Sequence, residues 1–267
     1  MTLQSIRPLF FTLFLSTSVT LIAGPLTDSF DDASNAAYSD GWDMFDNGTT
    51  GGLNLGTWSL FLTESPPSSE AEALIASAAT AGGDASLMDV SGVSWILRAF
   101  SSVGPLAEAA VSRSFTSSVG LKLQCRVQYV GDSTGLVQIF ALGSNGAQMR
   151  VQTDGGGNWM FENPNPTDTG IPSTSPIEIL YTQIDSNTHD IRVTELVAPF
   201  TQFSLTGVSF FDSTGSAPLF SPPDFIAFAS NTTDSFTFPS GESLIINSMI
   251  HNPTGTLPVE LSAFELE

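Results

Sequence analysis

The stretch Leu121-Lys122-Leu123-Gln124-Cys125-Arg126-Val127-Gln128-Tyr129 alternates strictly between apolar and polar residues. Successive side chains of a strand point to opposite faces, so Leu121, Leu123, Cys125, Val127 and Tyr129 share one face and the polar residues share the other. Short apolar runs of this kind recur along the chain between clusters of Gly, Ser, Asn, Asp and Pro. They predict strands at 58–63, 94–100, 108–115, 121–130, 136–142, 147–153, 158–162, 177–184, 189–196, 202–208, 224–229 and 243–250. Turn signals fall about every 8 to 12 residues, the spacing of a sandwich or barrel. No alternation with helices suggests a parallel sheet. The fold class predicted is all-β, a two-sheet antiparallel sandwich.

The ends of the chain modify this picture. Residues 1–23 hold one cation, Arg7, followed by an apolar run that ends in small residues, the pattern of a secretory signal cleaved after Ala23. Residues 24–252 then form a single sandwich domain, and 253–267 a linker and C-terminal tail, with no membrane span left after signal removal. The predicted location is secreted, extracellular or cell-surface.

Charge narrows the partners. With 27 acidic residues against 7 Lys and Arg, the net charge is −20, and such a surface repels nucleic acid and anionic membrane. The single cysteine, Cys125, excludes an intramolecular disulfide, and its place on the apolar face of a strand predicts an inert, buried thiol.

Five segments in order, AYSDGW (37–42), GTWSL (56–60), SGVSWILRAF (91–100), AAVSRSF (109–115) and DTGIP (168–172), resemble a family of exported bacterial β-sandwich proteins that often carry exosortase-type sorting tails. The resemblance spans about residues 28–250. It implies a concanavalin-like or jelly-roll sandwich and transfers no catalytic residue. It also bears on 69–80, where Ser69, early acids and the spacing of Ala71, Leu74, Ile75, Ala78 and Ala79 fit a helix. The resemblance favours a strand across 74–76 instead, and that reading is preferred.

The one enzyme-like match is Gly131-Asp132-Ser133-Thr134-Gly135, which fits G-x-S-x-G. A nucleophile elbow needs a strand before the serine and a helix after it. Here residues 136–142 read as a returning strand, so the segment is predicted to be a hairpin turn. The E-x-D-x-E and E-x-D-x-x-E patterns of concanavalin-like glycosidases are absent from the sequence. These readings lead to an expectation of a non-enzymatic protein of the cell envelope or extracellular matrix, adhesive or structural. A carbohydrate-binding module using loop aromatics is the second reading and a hydrolase the third.

Two loops are the candidate sites. Core or loop packing is the first reading for Trp42, in a Gly- and Asp-rich loop, and for Trp159, which lies with Phe161 in the long loop 153–170; if the protein binds an extracellular glycan, these three are the candidates to stack on it. Asp40, Asp43, Asp46 and Asn47 offer hard oxygen ligands for a structural calcium, though their spacing fails the EF-hand pattern.

Overall fold

The computed structural model describes residues 29–252 apart from 49–54, 64–68, 90–91, 102–106, 116, 118, 132–135, 145–146, 154–156, 164, 212–217, 220–222 and 233–242. The signal reading at 1–23, the tail at 253–267 and the serine of the G-x-S-x-G match lie outside the described residues.

Among the described residues the strands are, in chain order, β1 (Ser29–Asp31), β2 (Ser59–Thr63), β3 (Ser69–Ala76), β4 (Ser94–Ser101), β5 (Glu108–Ser114), β6 (Lys122–Val130), β7 (Leu136–Ser144), β8 (Ala147–Thr153), β9 (Asn158–Glu162), β10 (Pro166–Pro172), β11 (Ile177–Gln183), β12 (Thr188–Glu195), β13 (Gln202–Phe211), β14 (Pro218–Leu219), β15 (Phe225–Thr232) and β16 (Ser243–Asn252). A nine-stranded sheet has the order β14-β13-β12-β11-β6-β16-β4-β3, with β1 pairing β16 beyond the stretch that pairs β4. A seven-stranded sheet has the order β10-β9-β8-β7-β15-β5-β2. The two pack face to face as an antiparallel sandwich.

Alternation explains the core. In β6 and β11 every second residue turns inward, so Leu123, Cys125, Val127, Ile177, Ile179 and Tyr181 are buried. They meet Val111, Met149, Val151, Trp159, Phe161, Ile226 and Phe228 from the opposite sheet in one cluster. Cys125 is 1 % exposed, and burial pushes its thiol pKa well up, as expected of an inert core cysteine.

Residues 69–76 form β3, which pairs along its length with β4. The preferred strand reading holds, and the helical signal resolves downstream. A short 3-10 turn (Ala78–Ala81) and a four-residue helix, α1 (Ala85–Met88), follow the strand. Ala78, Ala81 and Met88 pack on Ile96 and Ile245, closing a second, smaller cluster on the outer side of the nine-stranded sheet.

Two loop readings are corrected. β6 and β7, on either side of 131–135, do not form the expected hairpin, because they belong to different sheets: β6 pairs β11 and β16, while β7 pairs β15 and β8. The connection crosses from one sheet to the other. Alternation is the same in both sheets, so it could not reveal the crossing. The region 153–170 is not one long loop either, since β9 and β10 pair antiparallel within it. Pro166 and Pro172 bound β10, an edge strand where missing N–H groups are tolerated.

Candidate functional site

Four of the five segments that carry the family resemblance converge on one buried cluster. Tyr38 and Trp42 come from the N-terminal loop, Trp58 from the entry to β2, Trp95 from β4 and Arg113 from β5, and Asp31 of β1 joins them. Arg113 Nη1 bonds to Asp31 Oδ2, and both side chains are 0 % exposed. The Tyr38 hydroxyl donates to the same oxygen at 2.6 Å and accepts from Trp58 Nε1 at 3.0 Å and the Gly48 N–H at 3.1 Å. Arg113 Nε donates to the Gly56 carbonyl at 2.9 Å, and its guanidinium lies 4.7 Å from the Trp58 ring centre. Trp42, Trp58 and Trp95 pack mutually with centroids 5.1 to 5.9 Å apart.

This cluster ties the two sheets together, because β1 belongs to the nine-stranded sheet and β5 to the seven-stranded one. Desolvation raises the Asp31 pKa, opposed by the Arg113 charge and by the hydrogen bonds from Tyr38 and Arg113. Burial likewise pushes the Tyr38 phenol up. Gly48 is required by close approach, since a Cβ there would fall 2.5 Å from Asp31 Oδ1 and 2.6 Å from the Tyr38 ring. The described side chains of the cluster are buried, and their bonds and ring contacts hold β1, β2, β4 and β5 to one another.

The sequence-derived site residues sort as follows. Trp42, Trp159 and Phe161 are 3, 0 and 1 % exposed, so the packing reading of the two tryptophans holds and the reading of the three as a stacking surface is corrected. Trp42 is drawn in by Trp58 and Trp95, and Trp159 and Phe161 occupy inward positions of β9. Asp40, Asp43, Asp46 and Asn47 do not gather into a metal centre. Asp46 caps the Asp43 N–H at 2.6 Å, and Asn47 accepts from Arg113 at 3.0 Å and donates to the Leu55 carbonyl at 2.9 Å. No group of three or more His, Cys, Asp or Glu among the described residues is arranged to hold a metal ion.

What the sequence reading missed lies on the outer face of the seven-stranded sheet. On β15 the inward residues are Ile226, Phe228 and Ser230, all buried, which turns Phe225, Ala227 and Ala229 outward. Phe225 pairs across to Gly143 of β7, and the far end of its ring fills the space a side chain there would take: a Cβ at 143 would fall 1.7 Å from the ring's Cζ. The half-buried ring is fixed there by the missing side chain. Beside it on β5 and β2 are Ala110, Ser112, Ser114, Ser59 and Phe61, the last 57 % exposed.

Beyond β7 the same face becomes polar. Arg150 and Gln152 of β8 stand opposite Glu162 and Met160 of β9, with Arg150 Nη1 3.7 Å from Glu162 Oε2. Asp168 of β10 pairs with Met160, and its carboxylate accepts from Asn158 at 2.9 Å and from the Gly170 N–H at 2.7 Å. Those bonds, the backbone one first, hold the Asp168 pKa below the usual carboxylate range. The face thus offers an aromatic platform on a floor of small residues, with charged and amide groups along one side. The signal for it was in the sequence as the alternation Phe225-Ile226-Ala227-Phe228-Ala229, but only the burial of Ile226 and Phe228 shows which set is outside.

No protein-family model matches the chain, and no curated protein matches it. Among solved structures, a glycosyl hydrolase family protein from Mycobacterium fortuitum is similar at a TM-score of 0.44 and 10 % identity, covering 73 % of this chain and 91 % of that one. A protein of unknown function from Shewanella oneidensis MR-1 is similar at a TM-score of 0.46 and 14 % identity over 95 % of this chain and 100 % of that one. A β-1,3-glucanase from Mycobacterium marinum is similar at 0.41 and 8 % identity, over 73 % and 90 %. The expectation of a non-enzymatic protein is corrected by these names, since proteins named as enzymes of carbohydrate chemistry are among the similar structures. At such identities and TM-scores, no residue role or activity passes from them to this chain.

Proposed function

We propose that this protein meets carbohydrate on the outer face of its seven-stranded sheet. The observation that carries the reading is Phe225, half-buried, outward-facing and seated over Gly143 among small residues, where a sugar ring can stack on it. Aromatic faces present apolar surface to the C–H groups of a sugar, and planar polar side chains orient its hydroxyls. Arg150, Gln152, Glu162, Asn158 and Asp168 supply the second kind of contact on the same face. The role belongs to the cell envelope or extracellular matrix, a placement supported by the apolar run at 1–23 and the net charge of −20.

Incubation of the protein with insoluble and soluble polysaccharides, read both for binding and for released reducing sugar, tests the proposal. The expected result is binding to at least one neutral glycan, weakened about 10-fold or more by Phe225→Ala and also by Arg150→Ala, with far-UV spectra unchanged. Absence of binding and of sugar release across a broad glycan panel overturns it, and so does binding that both substitutions leave intact. Export is tested separately: full-length protein expressed in a bacterium is expected outside the cytoplasm with a new N-terminus at Gly24.

A further inference from the structure

Strand β2 ends the seven-stranded sheet and, among the described residues, pairs only with β5. Its sequence, Ser59-Leu60-Phe61-Leu62-Thr63, has no charge and no proline, and Phe61 and Leu62 are 57 and 45 % exposed. Free edges are ordinarily blunted by lysine, proline or a bulge, because a row of unpaired backbone groups invites another strand. In a chain of net charge −20, an uncharged apolar edge departs sharply from the rest of the surface.

The geometry beside it limits what can pair there. The Phe45 N–H donates to the Trp58 carbonyl at 2.8 Å, and the Trp58 N–H donates to the Asp46 carbonyl at 2.9 Å, so the loop closes the edge at Trp58. By the alternation of an extended chain, Leu60 and Leu62 turn their backbone groups to the same side, where the described strands offer no partner. Met44 and Phe45, 50 and 72 % exposed, stand at the end of this opening, and Phe45 holds a left-handed φ of 78° that bulky residues avoid.

We infer that β2 is the contact through which two copies of this chain form a symmetric dimer. The occupant follows from the sequence of the strand, which reads alike in both directions about Phe61. In an antiparallel pairing centred there, Leu60 lies opposite Leu62 of the second copy, Ser59 opposite its Thr63, and Phe61 opposite its Phe61. Such a patch complements itself across a two-fold axis. Leu60 and Leu62 exchange backbone hydrogen bonds with the second copy, and the pairing stops where Phe45 and Asp46 already occupy Trp58. Seven strands from each copy then make one continuous sheet of fourteen. The axis stands perpendicular to that sheet, so both outer faces look the same way. The dimer does not rest on the carbohydrate reading, but it would set two Phe225 platforms on one surface, and paired sites raise avidity without new contacts.

The experiment uses the chain with Phe61→Cys. Cys125, the one native cysteine, is 1 % exposed, so the new thiol is the reactive one. Opposed residues of a non-hydrogen-bonded antiparallel pair have Cα atoms about 4.5 Å apart, within disulfide reach. Mild oxidation is expected to give a covalent dimer with Phe61→Cys and to leave Val119→Cys, at a site 60 % exposed, monomeric. The unmodified protein is expected to sediment as a dimer that tightens with salt, as the repulsion between acidic copies is screened. Leu62→Lys is expected to raise the dimer dissociation constant about 100-fold, because it sets an unpaired charge against the second copy's Leu60 at both ends of the seam, without changing the melting temperature of the monomer. A wild-type protein that stays monomeric up to its solubility overturns the inference. So does a dimer that Leu62→Lys leaves unaltered, or cross-linking of Val119→Cys as efficient as that of Phe61→Cys.

Discussion

Asp31 and Arg113 carry opposite charges into a site where neither side chain keeps any exposed surface. Losing one partner of such a pair leaves an uncompensated buried charge, so Arg113→Met is expected to cost about 3 to 5 kcal/mol in urea unfolding. The double substitution Asp31→Leu with Arg113→Met is expected to recover most of that loss, because it removes both desolvation penalties. His189 is the other buried ionisable group of note. It is 0 % exposed, neither ring nitrogen has a hydrogen-bond partner, and it packs against Phe210 and Tyr181 with centroids 4.4 and 5.4 Å away. Desolvation lowers its pKa to about 4 from 6.5, slightly opposed by Asp190. With the folded value depressed, the unfolded chain binds the proton first. Stability is therefore full above pH 6.5 and falls as the pH drops from there toward about 4, by about 3 kcal/mol. His189→Phe is expected to remove that slope in unfolding measured across this window. A pH dependence identical in the two proteins would refute the assignment.

At the scale of elements, the pairing of β15 with β7 decides the outer face. Phe225 keeps its place only because residue 143 is glycine, so Gly143→Ala is expected to displace the ring, weaken glycan binding about 10-fold and cost about 1 to 3 kcal/mol. Binding measured beside thermal unfolding separates the two effects. Most strands were legible from alternation alone: β8 and β9 occupy 147–153 and 158–162 as read, and β4, β5, β6 and β12 differ by one residue at their ends. Others were missed for identifiable reasons. β1 is three residues long and β14 two, too short for a period to show. β10 carries Pro, Asp, Thr and Gly, a turn composition, and becomes a strand because β9 beside it has a free edge to pair. Trp42 sits in a loop of polar neighbours, and no local pattern announces that Trp58 and Trp95 wait to cover it.

For the whole molecule, charge and closure set the terms. Twenty-seven acidic residues against seven Lys and Arg make the compact state repel itself, so raising NaCl from about 0.02 to about 0.5 M is expected to raise the melting temperature. Calorimetry at fixed pH and protein concentration reads this, with concentration held constant because a dimer would add its own dependence.

The sequence by itself determined that the chain is all-β, where most strands run and which residues share a face, because a period of two is a property of consecutive residues. It also determined the buried, inert setting of Cys125. The tertiary structure decided which sheet each strand joins, which loop tryptophan is core, and which face of the seven-stranded sheet is left to solvent. Those depend on hydrogen bonds and packing between segments as distant as β1 and β16, and the alternation is identical whichever sheet a strand enters. β6 and β7 illustrate the difference: the composition between them marks a turn, but only their pairing with different partners shows that they belong to different sheets.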